Sequence, residues 1–147
     1  METSKDFEEF FESLNAHKAR YLIVGGYALA IHARPRFTDD LDVLIESSSD
    51  NAQRVLEALK SFGFGDVGLT VDDLMNDDNV IQLGYPPLRI DILTSVSNVT
   101  FRDAWGRKVD GMYGKQKVHF IGKPDLILSK TGTGRGRDEQ DVRDLLG

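Results

Sequence analysis

The stretch Tyr21-Leu22-Ile23-Val24-Gly25-Gly26-Tyr27-Ala28 runs through a short spacer into Thr38-Asp39-Asp40-Leu41-Asp42-Val43-Leu44-Ile45. Four consecutive apolar residues broken by a glycine pair predict a short buried strand. The glycines turn it into a helix through Tyr27 to His32, which Pro35 ends. The second segment is another strand. Side chains alternate along a strand, so Asp40 and Asp42 leave one face while Leu41, Val43 and Ile45 enter a core from the other. Two carboxylates placed in this way can share hard divalent cations.

Outward from this centre the pattern alternates helix and strand. Phe7, Phe10, Phe11 and Leu14 recur at helical spacing and predict an N-terminal packing helix. Ser47-Ser48-Ser49-Asp50 supplies turn and N-cap chemistry for a helix carrying Val55, Leu56, Leu59 and Phe62. Gly63 to Gly68 breaks the pattern. Leu74-Met75 reads as a capped turn or short helix, with Asp72, Asp73, Asp77 and Asp78 around it as solvated acids. Val80 to Tyr85 and Leu88 to Leu93 predict two strands joined by a tight Pro86-Pro87 turn. Short strands are expected at Lys108 to Met112 and Lys117 to Ile121. A helix opens at Lys123-Pro124-Asp125, and a glycine-rich loop leads to a last helix from Glu139 to Leu146.

In the strand Leu88 to Leu93, Asp91 interrupts an apolar run. Burying a carboxylate between Ile90 and Ile92 is costly unless it is paired or holds a cation.

The 147-residue chain is long enough for one domain with a sizeable core, residues 1–147. It has no cysteine, which excludes disulfides, thiolate zinc sites and cysteine nucleophiles and fits a reducing cytoplasm. No signal-like or membrane-length apolar run occurs, so a soluble cytoplasmic protein is expected. The net charge of -6 is uneven: residues 1–100 carry -9 and residues 101–147 carry +3. A basic C-terminal segment could meet phosphates.

Nucleotidyl transfer needs a cradle for a triphosphate, cations at the reacting phosphorus and a way to activate the acceptor hydroxyl. Gly25-Gly26 suits the cradle, since glycine lets backbone N–H groups approach phosphate oxygens at a helix N-terminus. Asp40 and Asp42 suit the cations, because two metal ions can clamp the attacking and leaving oxygens of an in-line displacement. Asp91 would complete the cage or take the acceptor's proton. Other motifs are missing. There is no P-loop, Gly132-Thr133-Gly134-Arg135-Gly136 follows a helix and not a strand, and Asp40-Leu41-Asp42 lacks the EF-hand glycine. His17, His32 and His119 have no partners at metal-ligand spacing.

On Val24-Gly25-Gly26-Tyr27-Ala28, Asp40-Leu41-Asp42 and the later Asp91, the chain resembles the DNA polymerase beta-like nucleotidyltransferase superfamily. It is most similar to the small prokaryotic branch of abortive-infection and minimal nucleotidyltransferases. The tail Lys130-Thr131-Gly132-Thr133-Gly134-Arg135-Gly136-Arg137-Asp138-Glu139-Gln140-Asp141 is similar to that branch's ending, with Arg137 where lysine is more usual.

The resemblance implies an α/β nucleotidyltransferase fold, a mixed twisted sheet with helices packed mainly on one side. It implies that Gly25, Gly26, Arg36 and Lys130 lie at the nucleotide, and that Asp40, Asp42 and Asp91 are the catalytic residues and hold two Mg2+ ions, or Mn2+. The reaction it implies moves a nucleoside monophosphate from an NTP such as ATP to a hydroxyl on a small molecule, protein or RNA, releasing pyrophosphate. A homodimer or a partner protein is the expected source of any missing acceptor wall. A non-catalytic antitoxin-like partner in a toxin-antitoxin pair, or a nucleotide-binding regulatory module, is the alternative use of the same fold.

Overall fold

The computed structural model describes residues 3–35, 38, 40–63, 68–85 and 88–147, with the side chains of Tyr85 and Leu88 left aside. The first helix, α1 (Lys5–Ala16), starts where the Ser4 hydroxyl accepts from the Phe7 N–H and buries Phe7, Phe10, Phe11 and Leu14. Each of these side chains contributes about 1.5–3 kcal/mol by leaving water. Phe11 stacks on Tyr21 of β1 (Tyr21–Val24), so α1 lies over the face of the sheet that carries Tyr21 and Ile23.

The helix α2 (Gly25–His32) follows β1 without an intervening turn, because Gly25 itself takes φ +66° and begins the helix. The glycine pair is thus the first turn of the helix and not a loop before it. Tyr27 sets α2 beside α1 by packing edge-on to Phe7, and Phe10 meets Phe62 at the end of α3 (Ser49–Phe62). On this face α1 packs along α3, and α2 also touches the last two helices, Lys123–Lys130 and Gly136–Leu146.

Six strands form one mixed sheet in the order β3-β4-β2-β1-β6-β5. Here β2 is Asp40–Ile45, β3 Val80–Tyr85, β4 Leu88–Leu93, β5 Val109–Tyr113 and β6 Gln116–Phe120. The strand β1 pairs antiparallel with β2 and parallel with β6, β2 pairs parallel with β4, and the β3/β4 and β5/β6 hairpins close the two edges. The expected pairing of β3 with β4 holds, while the Pro86-Pro87 turn between them lies outside the described residues. Leu41, Val43 and Ile45 are buried as the alternation predicts.

One polar side chain fastens this frame. Asn51, 1% exposed, accepts from the Arg20 N–H at 2.7 Å and donates to the carbonyls of Arg20 at 3.0 Å and Glu46 at 2.8 Å. It joins the start of α3 to the start of β1 and the end of β2.

Four further helices complete the described chain. The short α4 (Val71–Met75) has a capping box in which Thr70 and Asp73 satisfy each other's N–H groups, so Asp73 is a cap and not a free acid. An unexpected helix, α5 (Phe101–Gly106), stacks Phe101 on Trp105. The helix α6 (Lys123–Lys130) is pinned to α5 by Arg107, which forks onto buried Asp125 at 2.8 and 3.0 Å. The last helix, α7 (Gly136–Leu146), begins three residues before the expected Glu139, inside the glycine-rich segment.

Candidate active site

The register of β2 against β4 decides what meets on the second face of the sheet. Asp40 lies opposite Arg89 and Asp42 opposite Asp91, and paired residues of neighbouring strands point to the same side. The four side chains therefore form a square of three acids and one base. Asp91 is 7% exposed. Its carboxylate receives a forked pair of hydrogen bonds from Arg89, Nε at 3.0 Å and Nη2 at 2.9 Å, and the same Nη2 stands 3.9 Å from Asp40. The charge that makes burial of Asp91 tolerable is thus a guanidinium from its own strand. Sequence reasoning passed over Arg89, although its i, i+2 spacing to Asp91 already places both on one face.

Asp42 stands apart from that fork. Burial, followed by the negative charges of Asp91 and Asp40 and a hydrogen bond shared with Asp91, pushes its carboxyl up to about 6. Gly25 explains how Asp42 fits there: a Cβ on Gly25 would fall on Asp42 Oδ2. Gly26 is buried, and its own Cβ would come within 3.0 Å of Thr38. The first turn of α2 receives no side-chain cap. Its N–H groups therefore turn a partial positive charge toward the acids.

A cleft of about 620 Å³ opens here, with Gly25, Asp42 and Asp91 on the sheet side and Lys130 and Arg135 on the α6–α7 side. Lys130 is held by Asp141 at 2.8 Å and Asp138 at 3.5 Å. Its ammonium ties α6 to α7 as it faces the cleft. Asp78 is exposed, as expected of a solvated acid, and lies on the cleft wall, where its carboxylate accepts from the Ser95 hydroxyl at 2.8 Å. Only the β3–β4 hairpin, which returns Ser95 beside Asp78, could place it there. Arg36 lies outside the described residues.

The oxygen-only donor set of Asp40, Asp42 and Asp91 matches the chemistry of Mg2+, and burial together with the neighbouring charges of Asp91 and Asp40 raises the Asp42 carboxyl. Among the described residues, however, no three acidic or histidine side chains are arranged to hold an ion as they stand. Arg89 lies between two of them.

A mixed sheet whose glycine-opened helix faces paired aspartates on the neighbouring strand defines the nucleotidyltransferase fold. Over residues 3–146 the chain matches the family described as nucleotidyltransferase of unknown function, DUF6036, and it belongs to that family of enzymes. Solved structures agree on the fold. The lincomycin-bound lincosamide antibiotic adenylyltransferase LnuA superposes with a TM-score of 0.58 at 15% identity, over 99% of this chain and 97% of that one. An antigenic nucleotidyltransferase-like protein from Paracoccidioides brasiliensis gives 0.55 at 14%, over 98% and 76%. No curated protein matches in sequence. No helix among the described residues is long and apolar enough to cross a membrane.

Proposed function

We propose that this chain transfers a nucleoside monophosphate from an NTP to a hydroxyl acceptor in a Mg2+-dependent reaction that releases pyrophosphate. The observation that carries this reading is the pairing of Asp42 with Asp91 in a cleft beside the uncapped first turn of α2. Acids and backbone donors side by side suit a ligand that is itself anionic and arrives with cations.

In this reading the N–H groups at Gly25 and Gly26 bind the triphosphate, where a side chain would keep its oxygens at a distance. Asp40, Asp42 and Asp91 would hold Mg2+, which when bound neutralises charge on the reacting phosphate. The acceptor oxygen forms a bond to the α-phosphorus, the bond from that phosphorus to the bridging oxygen breaks, and pyrophosphate leaves. The acceptor's proton passes to a carboxylate of the cluster. Lys130 and Arg135 supply positive charge on the opposite wall. Lys130 keeps its position through Asp141.

The adenylyltransferase among the similar structures makes ATP the first donor to test and a small hydroxylated compound the first acceptor. The test incubates wild type and Asp42→Asn with each α-labelled NTP, Mg2+ or Mn2+, and panels of small molecules, RNA and protein. Label transfer with stoichiometric pyrophosphate, lost in the variant, is expected. A protein that releases no pyrophosphate from any NTP with any acceptor overturns the reading.

A further inference from the structure

We propose that Arg89 is a tethered cation that occupies the seat between Asp40 and Asp91 and yields it when a divalent ion enters, so that Arg89 sets the site's affinity for metal. This rests on the reading of the three aspartates as metal ligands. Arg89 and Asp91 project from the same face of β4, and Asp40 faces Arg89 across the β2–β4 ladder. The fork at 2.9 and 3.0 Å engages both Asp91 oxygens, and Nη2 is also within ion-pair range of Asp40. One guanidinium therefore bridges two of the three acids.

A forked guanidinium is a good but replaceable partner. It brings one positive charge spread over a plane, whereas a divalent ion concentrates two and binds the same oxygens directly. The Arg89 side chain is 30% exposed while that of Asp91 is 10% exposed, so the cation can swing outward and the carboxylate cannot. The same fork orients Asp91 in the metal-free protein. Without it, three neighbouring carboxylates would repel one another.

The experiment titrates Mn2+ into nucleotide-free wild type, Arg89→Ala, Arg89→Lys and Asp91→Asn, reading free Mn2+ by electron paramagnetic resonance and melting temperature in parallel. Arg89→Ala should melt lower in chelator yet bind Mn2+ about 10- to 100-fold more tightly, the range set by a charge-assisted forked pair. Added Mn2+ should raise its melting temperature more than that of wild type. Arg89→Lys keeps the charge, loses the fork and should fall between, and it carries the test if the alanine variant fails to fold. Mn2+ binding that is equal or weaker in the Arg89 variants, with Asp91→Asn losing it, overturns the role of Arg89 and leaves the metal reading standing. No Mn2+ binding by any of the four proteins overturns both.

Discussion

Asp42 and Asp91 face one another across the parallel β2–β4 ladder, and Asp42 is the partner whose carboxyl is pushed up to about 6 by burial and by the neighbouring Asp91 and Asp40 charges. Its unfolded value is about 3.9. Between those values the folded chain binds more protons than the unfolded one, so this contribution is fully present below about pH 4 and is lost as pH rises through about 6. Asp42→Asn removes the titration. In metal-free buffer the variant should gain on wild type by about 1–3 kcal/mol between pH 4 and 7.5, allowing for partial solvent screening. Urea melts at several pH values measure this, and parallel pH profiles for the two proteins would contradict it.

The first two glycines of α2 have separable roles. Gly25→Ala meets both a positive φ and the Asp42 carboxylate, whereas Gly63, also at positive φ, faces open space. Alanine should therefore cost about 1 kcal/mol at Gly63 and about 2–4 kcal/mol at Gly25. Thermal melts compare the two. Equal losses would show that Asp42 moves aside freely.

Gly26 has an ordinary φ, and its neighbour is the Thr38 side chain at 3.0–3.1 Å. Gly26→Val should weaken NTP binding by tenfold or more if backbone approach to phosphate is its role. Isothermal calorimetry beside a melt decides this: unchanged NTP affinity with a loss of about 1–3 kcal/mol in stability would reduce Gly26 to a packing position against Thr38.

What the sequence made legible was local. The helical spacing of Phe7, Phe10, Phe11 and Leu14 and the alternation from Asp40 to Ile45 each follow from the geometry of one element, and the structure keeps both. Features made by pairing distant segments were harder to read. Arg89 became a partner of Asp40 only through the β2–β4 register, and Asp78 reached the cleft only through the β3–β4 hairpin. The helix α5 is too short for periodicity to show, and its N-cap at Thr100 is an ordinary threonine in the sequence. The helix α7 starts at Gly136 without a side-chain cap, so a run of glycines and arginines read as loop. Asn51 sits in a polar stretch that reads as surface, yet it is buried because the backbone of Arg20 and Glu46 needs partners there.

Asn51→Ala follows from that last point. It leaves the Arg20 N–H and two carbonyls without their side-chain partner in a buried position. A loss of about 2–4 kcal/mol is expected, the size for stranding buried polar groups. The urea midpoint should fall with an unchanged slope. A loss below about 0.5 kcal/mol would mean that water replaces the amide.

Lys130 faces the cleft and also holds α6 to α7, and the two roles predict different things. Its ammonium lies 2.8 Å from Asp141, whose side chain is 2% exposed, so Lys130→Met removes one partner of a buried pair. Stability should fall by about 3 kcal/mol. Adding Asp141→Asn takes away the charge that Lys130 offsets and should restore part of that loss. Transfer activity separates the roles, measured at a temperature where both variants are folded. If Lys130 contacts the nucleotide or the acceptor, the double variant regains stability while its kcat/KM stays at least tenfold below wild type. Activity that returns together with stability would make Lys130 a structural tie between α6 and α7 and remove it from the binding residues.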